Sequence, residues 1–179
     1  MNWLANLIYF RLMGWKVQGT WPKGLNKSIV IVLPHTSWHD FYVGLLIRKI
    51  LGMEIKFLAK KELFKPPFGW YFKWMGGTPL DRTPGQDKVA TIAKKFNQKE
   101  SFHLAMAPEG TRKKVEELKT GFYFIARTAK VPIVMVALDY GNKKVKISDP
   151  LYPGFDKEKD FEKIKNFYKE ATGKVVHYT

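Results

Sequence analysis

His35 and Asp40 lie five positions apart in the run Pro34-His35-Thr36-Ser37-Trp38-His39-Asp40. These are residue types that general-base chemistry uses: a carboxylate on one imidazole nitrogen fixes the tautomer and raises basicity, leaving the other nitrogen to take a hydroxyl proton. On one regular helix this spacing puts the two side chains off a common face, whereas a strand-to-helix turn can fold Asp40 back onto the ring. Two other readings fit the same letters. Ser37 followed three residues later by Asp40 matches a capping box, in which Asp40 only caps a helix. His35 and His39, four apart with Asp40 adjacent, also have the spacing of a zinc pair. Against the metal reading, only His103 and His177 remain as further histidines, and there is no cysteine. That absence also removes disulfides and any cysteine acyl-enzyme.

These residues need a scaffold, and the apolar pattern supplies one. Ile29 to Leu33 is a short, continuously apolar, β-branched run, expected as a strand buried on both faces and ended by Pro34. The segment His39 to Leu51 has helical length and spacing, and Glu54 to Ala59 returns to strand character, giving a β-α-β unit. A helix is expected within Leu63 to Met75 after Pro66-Pro67, and a short strand over Gly76 to Leu80. Further on come a helix at Gln86 to Phe96, a strand at Phe102 to Ala107, a helix at Gly121 to Lys130 and an apolar strand at Val131 to Leu138. Lys144 to Ile147 reads as an edge strand, and Lys157 to Glu170 as a terminal amphipathic helix. The alternation predicts an α/β fold in one domain, residues 1–179, with a mostly parallel central sheet flanked by helices. His35 and Asp40 then fall just beyond a strand end, where open α/β sheets place ligands.

Composition restricts the partners. At 179 residues, with 45% hydrophobic and 15% aromatic residues, the chain can bury one substantial core. Its formal net charge of +15 points to an anionic partner: nucleic acid, anionic lipid, a phosphorylated substrate or an acidic carrier protein. Basic charge with aromatics also describes a single-strand nucleic-acid binder, but no zinc-finger, RRM or helix-turn-helix pattern is present, so no nucleic acid is expected. The N-terminal residues 1–15 lack a positive n-region and an A-x-A site, as a signal peptide would not. As a helix, Asn2 to Met13 would reach about 18 Å against a hydrocarbon core of roughly 30 Å, and Arg11 interrupts it. An amphipathic helix that lies in the interface or packs on the core is expected instead.

The His-x-x-x-x-Asp segment resembles the first block of the lysophospholipid and glycerolipid acyltransferase family, which includes the 1-acylglycerol-3-phosphate acyltransferases. Three more stretches occur in that family's order. Gly76-Gly77-Thr78-Pro79-Leu80-Asp81-Arg82 resembles the second block, which implies that Arg82 binds the acceptor's phosphate. Pro108-Glu109-Gly110-Thr111-Arg112 resembles the third, implying substrate binding and site organisation by Glu109, Gly110, Thr111 and Arg112. Val131-Pro132-Ile133-Val134-Met135-Val136 resembles the fourth, a strand near the acyl pocket, although Met135 stands where the family often has proline. Arginine forks suit phosphate, and Gly110 permits close backbone approach. The catalytic core would span 29–138.

The resemblance implies an O-acyltransferase of phospholipid biosynthesis. His35, oriented by Asp40, would deprotonate an acceptor hydroxyl that attacks the thioester of acyl-CoA or acyl-carrier protein, with no bound cofactor or metal. A non-phosphorylated acceptor such as a lyso-aminolipid is the alternative. Between Arg48 and Lys73 the chain carries seven basic residues against Glu54 and Glu62, interleaved with aromatics. That is the composition of a membrane-interface surface. Trp3, Leu7, Phe64, Phe68 and Trp70 are the expected contacts with an anionic membrane, reached from the cytoplasmic face as a peripheral or monotopic protein.

Overall fold

The computed structural model describes residues 3–80 and 87–178. Seven strands form one sheet: β1 (Lys16–Gln18), β2 (Lys27–Leu33), β3 (Ile55–Lys60), β4 (Gly77–Leu80), β5 (Phe102–Met106), β6 (Ile133–Asp139) and β7 (Lys144–Ile147). Their order is β1-β7-β6-β2-β5-β3-β4, and every pairing is parallel except the antiparallel β6–β7. The helices are α1 (Trp3–Asn6), α2 (His39–Ile50), α3 (Gly69–Trp74), α4 (Lys88–Asn97), α5 (Gly121–Ala129) and α6 (Lys157–Tyr168).

Side-chain alternation along the strands divides the core in two. Ile29 and Ile31 of β2, with Ile133 and Met135 of β6, pack under α4, α5 and α6 through Phe96, Phe122 and Ile164. Val30, with Val134, Val136 and Leu138, faces the other way onto Val43 and Ile47 of α2 and onto Tyr9 and Trp15. Every residue of β6 is buried, as a central strand covered by helices on both faces requires.

The expected α/β fold with a mostly parallel sheet is the one observed; the differences lie at its margins. Lys144–Ile147 is not an edge strand: it pairs with β6 on one side and with β1 on the other. β1 escaped the sequence reading because three residues with two exposed ends carry no apolar pattern. The helix expected after Pro66-Pro67 is α3, and a 3-10 turn at Lys61–Phe64, which the sequence did not suggest, precedes the proline pair. The N-terminal helix continues from α1 as a π-helical turn over Leu7–Leu12. It buries Ala5 and Tyr9 and turns Trp3, Leu4, Leu7, Phe10 and Leu12 outward, so it both packs on the core and presents an apolar face.

Because the parallel strands share one direction, the carboxyl ends of β2, β5 and β6 open onto one edge of the sheet. The chain leaves β2 into the His35 segment, β5 into Pro108-Glu109 and β6 into Tyr140. Residues distant in sequence are thereby gathered where the order reverses around β2.

Candidate active site

Pro34 ends β2, and residues 34–38 turn the chain into α2. In this turn the imidazole Nδ1 of His35 stands 3.1 Å from Oδ2 of Asp40. The ring is half-buried, and its Nε2 is the nitrogen not turned to Asp40. Asp40 is 4% exposed, and its Oδ2 also accepts the Ser37 backbone N–H at 2.8 Å. The side chain that meets the histidine therefore also holds the turn ahead of α2, whose N-cap, Trp38, has no side-chain cap bond. His39 is turned elsewhere, its Nδ1 2.9 Å from the Ser37 hydroxyl and its ring stacked on Trp38. Among the described residues no group of three or more His, Asp or Glu side chains gathers as metal ligands would.

The loop after β5 braces this turn. Glu109 is buried, and its Oε2 accepts the backbone N–H of His35 at 2.8 Å. Burial lifts the Glu109 carboxyl to about 7, against the pull of the His35 N–H and charge, and nearby Asp40 adds to the rise. Asp40 goes the other way. Its burial would raise it, yet the hydrogen bonds from His35, the Ser37 N–H and the Tyr140 hydroxyl together hold it below its ordinary value. The site thus contains one carboxyl kept ionised and one inclined to hold a proton, as neighbouring carboxyls in unlike surroundings do.

Gly110 has φ +67°, and a Cβ there would come within 2.5 Å of Lys119 Nζ and 2.8 Å of its Cε. The space that the missing side chain leaves is filled by the Lys119 stem, whereas the sequence suggested room for a ligand. The loop is closed beneath by hydrogen bonds from Gly110 N to Ala107 O and from Lys119 N to Pro108 O. Thr111 and Arg112 are exposed on its outside. β4 ends at Leu80, and Arg82 lies outside the described residues.

Two contributors were not anticipated. The Tyr140 hydroxyl donates to Asp40 Oδ1 at 2.7 Å, and the Val175 N–H donates to Thr36 Oγ at 3.2 Å. Both cross 100 residues or more of sequence. A tyrosine just past an apolar strand was the only signal for the first; nothing marked the second.

Of the expected membrane contacts, Trp3, Phe68 and Trp70 are 69%, 66% and 70% exposed, and Leu7 is exposed at the margin. Phe64 is instead half-buried, its ring 6.3 Å from that of Phe72 and close against Gly77. The 3-10 turn that carries it points it inward, and Leu63 and Trp74 stand exposed on this side. No helix of the described residues is long and apolar enough to cross a membrane.

The family model described as Acyltransferase matches residues 15–139. The 1-acyl-sn-glycerol-3-phosphate acyltransferase of Bacillus subtilis is 32% identical over 140 residues, covering 71% of this chain and 68% of that protein. The Streptococcus pneumoniae protein of the same name is 31% identical over 113 residues, 62% of this chain. The aligned part spans 41% of the streptococcal protein. The crystal structure of the 1-acyl-sn-glycerophosphate acyltransferase PlsC from Thermotoga maritima superposes with a TM-score of 0.61 at 25% identity, covering 98% of this chain and 76% of that one.

Proposed function

Because the chain belongs to the acyltransferase family, we propose that it moves a fatty acyl group from acyl-CoA or acyl-carrier protein to the hydroxyl of a lysophospholipid of the 1-acylglycerol-3-phosphate kind. The carrying observation is the contact between His35 Nδ1 and a buried Asp40 at the carboxyl edge of the sheet. The names of the bacterial relatives supply the acceptor class.

In this reading His35 Nε2 takes the proton of the acceptor hydroxyl as its oxygen bonds to the thioester carbonyl carbon. The C–S bond then breaks, and the imidazolium returns its proton to the departing thiolate. Asp40 holds the ring in the tautomer that presents Nε2 and offsets the imidazolium charge. Glu109 fixes the His35 backbone from the neighbouring loop. Arg82 and Arg112 bind the acceptor's phosphate, so that its affinity is used to orient the hydroxyl. No metal or cofactor enters the scheme. The basic chain meets an anionic membrane through its exposed aromatics at the cytoplasmic face, and lipids exchange there without leaving the bilayer.

The test incubates the protein and its His35→Ala variant with radiolabelled acyl-CoA, or acyl-carrier protein, and a panel of lysophosphatidic acid, other lysophospholipids and lyso-aminolipids in detergent. Transfer to lysophosphatidic acid, reduced by about 100- to 10,000-fold in the variant while its circular dichroism is unchanged, is expected from loss of the general base. Transfer to lyso-aminolipids only would replace the acceptor. Undiminished activity in the variant would remove the dyad.

A further inference from the structure

We propose that Tyr140 is a positioning residue for the acyl transfer: its hydroxyl pins the free oxygen of Asp40, so that the carboxylate presents its other oxygen to His35. This rests on the dyad reading above and adds to it a residue just past the carboxyl end of β6, the strand beside β2.

An ionised carboxylate can rotate about its terminal bond and exchange its two oxygens. Asp40 Oδ2 is engaged by the Ser37 N–H at 2.8 Å and by His35 at 3.1 Å. Oδ1 receives the Tyr140 hydroxyl at 2.7 Å. Without that donor, a buried charged oxygen would lack the partner it has now, which is costly in the interior. The titratable groups around Asp40 are His35, Glu109 and Tyr140. Of these Tyr140 is the neutral donor, its own phenol pushed up by burial and by the bond to Asp40.

Tyr140 is itself held from two sides. It follows β6, whose register on β2 places it beside the turn that carries His35. Its ring meets Trp15 edge-on at 4.8 Å, and Trp15 in turn meets Tyr9 of the N-terminal helical turn at 6.0 Å. Its backbone N–H donates to Thr172 O at 2.8 Å. A hydroxyl so clamped has little freedom to follow a rotating carboxylate, which is what positioning requires. The Trp15 contact involves the ring alone, so Tyr140→Phe removes the donor and keeps the packing.

The experiment measures acyl transfer against pH for the wild type, Tyr140→Phe, Asp40→Asn and the double variant, together with the NMR titration of the His35 ring assigned through His35→Ala. Tyr140→Phe is expected to lower kcat by roughly tenfold with the acceptor KM within about twofold, as losing one hydrogen bond to a charged group allows. The His35 midpoint should move upward, since a carboxylate relieved of one donor attracts the imidazolium more strongly. In the Asp40→Asn background the same substitution should cost nothing more, because its effect runs through Asp40. A merely structural tyrosine would lower the folded fraction and move neither midpoint nor cycle. A protected Tyr140 hydroxyl proton that is present in the wild type and disappears in Asp40→Ala, which has no side-chain acceptor, supports the same contact with no change at residue 140. Superimposable pH profiles and ring titrations of wild type and Tyr140→Phe, with His35→Ala inactive, overturn the proposal and leave the dyad standing. An active His35→Ala overturns both.

Discussion

Glu109 is a carboxyl of the site that burial lifts above its ordinary range. Its folded-state value of about 7 lies above its ordinary 4.5, so between these two pH values the native state binds more protons than the unfolded chain. Stability then falls as pH rises through that window. At about 1.4 kcal/mol per pH unit the loss is on the order of 3 kcal/mol. Glu109→Gln keeps an acceptor for the His35 N–H and removes the charge. Urea midpoints at pH 5 and pH 8 are expected to differ less in this variant than in wild type; an equal difference would mean that Glu109 titrates normally. Asp40 acts in the opposite direction, its depressed value giving stability that is present at neutral pH and lost in acid. At this scale the sequence disclosed what is local. His35, Ser37 and Asp40 are close along the chain, and their types suggested either a dyad or a cap; the structure shows the His35–Asp40 contact and an Asp40 bond to the Ser37 N–H, with no side-chain cap on α2. Tyr140 and Lys119 were not legible because their partners, Asp40 and Gly110, are set by strand order and loop closure rather than by spacing.

The helices are terminated and started by side chains whose energetic effect can be read separately from the site. Asp156 is the N-cap of α6, its carboxylate accepting the Lys159 N–H at 3.0 Å. Asp156→Ala should cost about 1 kcal/mol, a fall of roughly 2–4 °C in Tm, with acyl transfer at low temperature unchanged. A thermal melt beside an activity assay checks both. Elements such as β2 and β6 were visible in the sequence because a strand covered on both faces must be apolar throughout. β1 was not, since it is paired on one side only and its burial is slight. In the aromatic stretch around Pro66-Pro67 only Phe64 departed from expectation: it lies on a turn that hides it, whereas Phe68 and Trp70 are exposed as expected.

For the whole molecule, a formal charge of +15 and exposed tryptophans predict two separable contributions to lipid binding. Co-sedimentation with vesicles containing phosphatidylglycerol should weaken as salt rises from about 0.1 to 1 M, where the screening length drops from about 10 to 3 Å. Trp70→Ser combined with Trp74→Ser should lower the salt-resistant remainder. Binding that ignores both changes would place the contact elsewhere. The α/β class and helix-covered parallel sheet were legible because alternation of the two kinds of apolar period constrains topology; the strand order itself was not. That order has a bearing on how the protein is made. β2 leaves the ribosome before its two neighbours, β5 and β6, which begin only at Phe102 and Ile133. Until β5 is made an apolar strand has both hydrogen-bonding edges unfilled, and until β6 is made it still has one, the condition in which nascent chains associate with one another. The His35 turn cannot acquire its Tyr140 brace until that interval has ended.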